Sequence, residues 1–196
     1  MPFLYISAPQ KSSGKTTLSI GLARELTRRG LRVQPFKKGP DYIDPLWLGR
    51  ACDGTCYNLD FHTTPGDEIR AAFAGALAEA DFGLVEGNVG LFDSVDVDGP
   101  HTNAELAKLI GAPVLLVVDA HGMSRGIAPL LLGYQAFDPA LRIAGVILNK
   151  VGGERHAANL RRMVEHYTDL AVVGAVPRDA GVAIEERHLG LIPSNE

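Results

Sequence analysis

The sequence predicts an α/β fold of three layers, with a mainly parallel central sheet between helices, and three observations carry that prediction. Short apolar runs of strand length alternate with segments of helical spacing along most of the chain, which is the cadence of βαβ units. The first apolar run, Phe3 to Ile6, leads directly into Ser7-Ala8-Pro9-Gln10-Lys11-Ser12-Ser13-Gly14-Lys15-Thr16-Thr17, a phosphate-loop pattern at a strand-to-helix turn. A later run, Phe82-Gly83-Leu84-Val85, ends in an acid, Glu86, where such folds keep a carboxylate that organises metal or water.

The phosphate loop departs from G-x-x-x-x-G-K-[ST] at one place, Pro9, which stands where the first glycine would be. A loop of this kind wraps backbone N–H groups around a polyphosphate and aims a helix N-terminus at it, worth roughly half a positive charge. Ser12, Ser13, Gly14, Lys15, Thr16 and Thr17 are the candidate nucleotide-binding residues. Lys15 would reach the β- and γ-phosphates of ATP, and the Thr16 hydroxyl would ligate Mg²⁺. Lys11 reads as solvated.

After the loop, Leu18, Leu22, Ala23 and Leu26 recur at helical spacing and predict a helix over 16–29, stopped by Gly30. Leu31 to Phe36 predicts a second strand, with Pro35 marking its end or a sheet edge because proline forfeits a ladder hydrogen bond. Lys37-Lys38-Gly39-Pro40-Asp41-Tyr42-Ile43-Asp44-Pro45 begins at the C-terminal end of that strand, where ligands gather in open α/β sheets. Asp41 and Asp44 suit Mg²⁺, and Lys37 suits a transferring phosphate, although Gly-Pro-Asp is also ordinary turn chemistry. Residues 46–64 read as irregular, with Trp47 either core or a ligand platform.

A helix over 66–79 precedes the strand ending at Glu86. Asn88 onward opens a loop of about fifteen residues holding Asp93, Asp96 and Asp98, and loops of that length in compact domains are usually functional. Asp96 and Asp98 read as solvated. Helices over 102–110, 124–136 and 154–167 then alternate with strands over Val114–Asp119, Ile143–Leu148 and Ala171–Ala175. Asn149 follows one strand and Arg178 the next. The Asn149 amide offers a donor and an acceptor to a purine edge, or caps a strand-end turn.

At 196 residues one substantial core is the default. Residues 1–178 are expected to form a nucleotide-binding domain and 179–196 a C-terminal segment. A net charge of −4 argues against a nucleic-acid partner, whose footprint is basic. No apolar run approaches a membrane span, and no basic, apolar leader precedes the first strand, so the expectation is a cytoplasmic protein without a membrane partner. Cys52 and Cys56 are too few for a disulfide framework or a zinc site and read as reduced thiols. The six histidines show no paired metal-ligand spacing.

Several blocks together resemble the cobyrinic acid a,c-diamide synthase family, in its N-terminal ATP-binding half. They are Ser12 to Thr17, Arg32 to Lys37 running into Gly39-Pro40-Asp41-Tyr42-Ile43-Asp44, Asn58-Leu59-Asp60, Glu86-Gly87 with Gly90-Leu91-Phe92-Asp93, Ala144 to Asn149, and Glu186-Arg187-His188-Leu189-Gly190-Leu191. The resemblance implies a P-loop NTPase-like, dethiobiotin-synthetase-like fold and amide synthesis on a tetrapyrrole polycarboxylate: ATP activates the a- and c-acetates as acyl phosphates, and ammonia attacks each. It implies phosphate binding by Lys15 and Lys37, Mg²⁺ organised by Thr16, Asp41 and Glu86, and an adenine side lined by Asn149 and Arg178. Asp44 and Asp93 would stabilise the acyl phosphate or guide ammonia. The glutaminase half of that family has no counterpart in these residues, so a glutaminase domain or subunit is the implied ammonia source.

The sequence departs from the family pattern at Lys38, at Asn88-Val89 and at Ser94, which leaves the identity of the tetrapyrrole open. A nickel-sirohydrochlorin a,c-diamide synthase differs only in the macrocycle. A dethiobiotin-synthetase-like ligase would lack the Glu186 to Leu191 block, and a partition-type ATPase switch would act as a homodimer through a signature lysine, for which Lys11 is displaced by one residue.

Overall fold

The computed structural model describes residues 1–179 and, beyond them, 181, 184, 186–187, 190–191 and 194. In chain order the elements are β1 (Phe3–Ser7), α1 (Lys15–Arg28), β2 (Val33–Lys38), α2 (Asp44–Ala51), β3 (Tyr57–Leu59), α3 (Gly66–Leu77), β4 (Phe82–Glu86) and α4 (Asn103–Ile110). They continue with β5 (Val114–Asp119), α5 (Ile127–Phe137), β6 (Ile143–Val151), α6 (Glu154–Tyr167), β7 (Val172–Pro177), β8 (Glu186–Arg187) and β9 (Gly190–Leu191).

Strands β1 to β7 form one parallel sheet in the order β3-β2-β4-β1-β5-β6-β7, and β8 and β9 make a separate antiparallel pair. A parallel sheet must be covered on both faces, which explains why its strands are apolar runs rather than alternating ones. Along β1, Tyr5 joins the cluster that takes Phe73 from α3, Leu106 from α4, Leu131 from α5 and Leu160 from α6. Its neighbour Ile6 joins the other cluster, with Ala23 from α1 and Ala51 from α2. Successive residues of one strand thus enter opposite layers, as the two-residue period of a strand requires.

Four expectations are corrected. Residues 46–64 are not irregular, since α2 begins at Asp44 and β3 pairs with the end of β2. Helix α2 has eight residues and β3 three, each too short for periodicity to register. Pro35 lies in an interior strand, not at an edge; β3 pairs only from Phe36 onward, so Pro35 precedes that ladder, and its carbonyl accepts the Gln34 side-chain amide at 2.9 Å. Lys37 and Lys38 are the last residues of β2 rather than loop, held by register with Asn58 and Leu59. Asn149 and Lys150 lie inside β6, whose pairing with β7 carries register shifts, with Lys150 at φ 58°. Within the Glu186 to Leu191 block, His188 and Leu189 lie outside the described residues.

Candidate active site

Strands β1, β4 and β2 are neighbours, and their registers put Ile6 opposite Glu86 and Lys37 opposite Glu86. The phosphate loop, Glu86 and Lys37 therefore meet at one sheet edge, although 70 residues separate Thr16 from Glu86.

The loop is pinned by its carbonyls. That of Ala8 accepts Leu91 N–H at 2.8 Å, that of Pro9 accepts the Tyr134 hydroxyl at 2.9 Å, that of Ser12 accepts Lys150 Nζ at 2.9 Å, and that of Ser13 accepts Asn149 Nδ2 at 2.8 Å. Across a planar trans peptide the next N–H points away from the carbonyl, so holding these oxygens outward turns the following N–H groups, those of Gln10, Ser13 and Gly14, inward. Gly14 has φ 89°, and a Cβ there would stand 2.2 Å from Asn149 Nδ2, so only glycine fits. Pro9 occupies the first glycine position, where it has no N–H to offer and contributes its carbonyl to Tyr134 instead. Lys150 in turn binds Asp119 at 2.7 Å.

Lys37 is the centre of charge. Its Nζ lies 2.5 Å from Asp44 Oδ2, 2.7 Å from Glu86 Oε1, 3.2 Å from the Gly87 carbonyl and 3.9 Å from Asp41 Oδ2, in a side chain only 2% exposed. Burial opposes the ammonium, but the charges of Glu86 and Asp44 outweigh it and hold Lys37 above the ordinary lysine range. Lys15 lacks such close partners: burial pushes it down to about 8 against the opposing pull of Glu86, and its Nζ donates to the Val89 carbonyl at 2.7 Å. Glu86 Oε1 also accepts the Thr16 hydroxyl at 2.7 Å, while Glu86 Oε2 is buried with no hydrogen-bond partner.

Asp41 is fixed by its own turn. Its Oδ1 accepts the N–H groups of Ile43 and Asp44 at 3.0 and 3.1 Å, and Asn58 clamps its backbone by donating to the Asp41 carbonyl at 2.6 Å. Burial and the Asp44 charge raise the Asp41 carboxyl above the usual range. Asp93 is exposed and accepts Gly90 N–H at 2.7 Å, closing the turn after Val89. Asp96 and Asp98 are exposed, as is Lys11.

The residue that sequence reasoning missed is Asn103. Fully buried at the start of α4, it accepts from the Tyr5 hydroxyl at 2.8 Å and from Asn88 N–H at 3.2 Å, and donates to the carbonyls of Gly90 at 2.7 Å and Asn88 at 3.4 Å. No motif marks it, since it acts on backbone far away in sequence. Asn103→Ala strands several buried groups, and we expect it to lower the unfolding free energy by about 2–3 kcal/mol, read from the denaturant midpoint. A change under about 0.5 kcal/mol would show the network to be dispensable.

Arg178 follows β7 and is exposed, with one guanidinium nitrogen 3.4 Å from His121 Nε2. Trp47 is half-buried in an open cleft of about 370 Å³ with Ile20, Arg24, Arg50, Ala51 and Asp53, so it belongs neither to the core nor to the edge where Lys37 and Glu86 meet. Burial raises the Cys52 thiol to about 11 and pushes Cys56 higher still, so neither presents a thiolate nucleophile. Both are free. Among the described residues no cluster of three or more histidine, cysteine or acidic side chains forms a metal cage, and no helix is long and apolar enough to cross a membrane.

Residues 6–192 match the family model described as the CobQ/CobB/MinD/ParA nucleotide binding domain. The chain is 47% identical over 196 residues to a cobyrinate a,c-diamide synthase of Magnetococcus marinus, covering 100% of this chain and 42% of the relative. It is 45% identical over 184 residues to one of Salmonella typhimurium, covering 93% and 40%. It thus spans about two fifths of the length of these curated relatives. Among solved structures, chloroplast FtsY of Physcomitrella patens superposes with TM-score 0.63 at 18% identity, covering 92% of this chain and 63% of that one. FtsY of Thermotoga maritima gives 0.62 at 19%, with the same coverage. At such identities the FtsY likeness speaks for the fold, a P-loop NTPase-like one. The phosphate loop and the family match together lead to one conclusion: the chain belongs to the CobQ/CobB/MinD/ParA nucleotide binding domain family.

Proposed function

We propose that this domain performs the ATP-dependent activation step of an amide ligase acting on the a- and c-acetate carboxylates of a cobyrinic-acid-like tetrapyrrole. The observation that carries the reading is the convergence of Lys15, Thr16, Lys37 and Glu86 on one sheet edge, in a chain similar from end to end to cobyrinate a,c-diamide synthases.

Lys15 and Lys37 stand against four carboxylates, Asp41, Asp44, Glu86 and Asp93, an excess of negative charge that suits a divalent cation arriving with the nucleotide. Thr16 and Glu86 fit Mg²⁺ because their oxygens already lie 2.7 Å apart and Glu86 Oε2 is buried without a partner; Asp41 is the third candidate ligand. Bound there, Mg²⁺ would neutralise phosphate charge. In the reaction a substrate carboxylate oxygen attacks the γ-phosphorus and ADP leaves. Ammonia nitrogen then attacks the acyl carbon, the C–O bond to phosphate breaks, and the proton that the nitrogen loses is taken up by the departing phosphate, which leaves as hydrogen phosphate. Lys15 would exchange the Val89 carbonyl for a phosphate oxygen. Lys37, its charge secured by Glu86 and Asp44, would stay cationic while phosphate charge builds beside it. Asp44 and Asp93 would border the acyl phosphate, and Asn149 and Arg178 the adenine side.

The nitrogen source separates this domain from any glutaminase domain or subunit that supplies it. We expect purified chain 1–196, given Mg-ATP and cobyrinic acid, to form amide slowly at high ammonium and alkaline pH, where more NH₃ is unprotonated, and to form none from glutamine. Product mass with each nitrogen source is the assay. Amide from glutamine alone would place a glutaminase site in these residues and overturn the division of labour, and ATP turnover without amide from either source would overturn the ligase assignment.

A further inference from the structure

Lys38 ends β2 beside Lys37, and successive strand residues point to opposite faces. Lys37 reaches Glu86 and Asp44. Lys38 lies on the face of Phe36, whose ring packs against Phe73 at 4.7 Å. The residue is only 6% exposed, yet among the described residues no carboxylate comes within 4.0 Å of its ammonium and no hydrogen bond engages it. The nearest candidate counter-ion is Asp60, just beyond Leu59, to which Lys38 is paired in register. Both oxygens of Asp60 are committed, Oδ1 to His62 N–H at 3.1 Å and Oδ2 to the Thr63 hydroxyl at 3.0 Å.

The stem of Lys38 is covered while its ammonium keeps contact with solvent, so among the described residues the charge has no protein partner and is open to a ligand. Burial lowers the Lys38 pKa below the ordinary lysine range, with Asp60 pulling the other way and Lys37 adding to the fall. The charge sits at the C-terminal edge of the sheet, one residue from the lysine assigned to phosphate, on the opposite side of the strand. A ligand with one carboxylate could not offer it both for activation on the Lys37 side and to Lys38. A macrocycle bearing carboxylates around its rim could, one arm entering the reaction and another reaching across β2.

We propose that Lys38 is a substrate-specificity residue whose ammonium binds a carboxylate of the polycarboxylate substrate other than the one being activated. This rests on the reading that the substrate is a cobyrinic-acid-like polycarboxylate. Phe61 and His62 follow Asp60 in the chain and both pack on His101, with ring centroids 5.4 and 5.0 Å from it.

The test uses the full chain, with calorimetric titration of cobyrinic acid, of its a,c-diamide and of Mg-ATP into wild type, Lys38→Met and Lys38→Arg. The a,c-diamide lacks the reacting carboxylates and keeps the others. Lys38→Met is expected to weaken cobyrinic acid and the a,c-diamide by the same factor, about 10- to 100-fold, as loss of one charge-assisted contact does. Mg-ATP affinity should stay unchanged, and Lys38→Arg should recover most of the loss. Because the ammonium has no protein partner among the described residues to lose and Met keeps the covered stem, the melting temperature of Lys38→Met should be no lower than that of wild type. Unchanged binding of both tetrapyrroles in Lys38→Met, or weakening of cobyrinic acid alone, overturns the assignment. Wild-type protein that binds Mg-ATP but neither tetrapyrrole overturns the functional reading beneath it.

Discussion

Replacing Lys15 by alanine is expected to reduce kcat/KM for ATP-dependent activation at least about 100-fold, equivalent to about 3 kcal/mol of transition-state stabilisation. The reason is local. Among the described residues Lys15 makes no ion pair within 4.0 Å, and its Nζ donates only to the Val89 carbonyl, so its charge is available to phosphate in a way that of Lys37 is not. The fold should survive, because the loop is held by Tyr134, Asn149 and Lys150 acting on backbone carbonyls, none of which involves Lys15. Single-turnover formation of ADP by wild type and variant, with circular dichroism as the fold control, is the measurement. A folded variant that turns over as wild type does would remove the phosphate-binding role from this loop.

Glu86→Gln should come close to that loss. The substitution keeps the shape and an oxygen for the Thr16 hydroxyl, but removes the charge that Thr16 and Lys37 share and the unpartnered oxygen on which the metal assignment rests. We expect Mg-ATP affinity to fall at least about tenfold and turnover about 100-fold, with the Mg²⁺ concentration for half-maximal rate shifted upward. Asp41→Asn serves as the graded comparison. Its carboxylate is 3.9 Å from Lys37, and Oδ1 is occupied by the N–H groups of Ile43 and Asp44, so its effect should be smaller. If calorimetry gives both variants wild-type Mg-ATP binding, neither carboxylate ligates the metal in the ground state. If Asp41→Asn is the more damaging of the two, the metal lies on its side of Lys37.

Much of the site was legible because its chemistry sits in contiguous words. Gly14-Lys15-Thr16 announces a phosphate loop through glycine freedom followed by two functional side chains, and Glu86 is conspicuous as the acid closing an apolar run. Asn149 was legible as a position, and what the fold adds is that its Nδ2 is given to the Ser13 carbonyl, a contact across 136 residues that no local pattern announces. Asn58 and Asn103 were not legible as supports, because each acts on backbone that is distant in sequence and uses a side chain with no distinctive spacing. Helix α2 and strand β3 escaped for a different reason, since eight residues and three residues are too few for periodicity to outweigh the turn-like composition around them.

By itself the sequence determined the alternation of strands and helices, the covered parallel sheet and the phosphate loop, because those follow from local periods and from the backbone freedom of a few residues. Which strands are neighbours was decided only in three dimensions. Nothing local says that β4 inserts between β1 and β2, yet that insertion places Glu86 opposite both Ile6 and Lys37 and so assembles the site. The same holds for charge. Lys37 and Lys38 are indistinguishable as adjacent lysines at a strand end, and only their placement on opposite faces gives the first three carboxylates within 4.0 Å and leaves the second buried with none among the described residues, since a strand's two faces meet different layers of the protein.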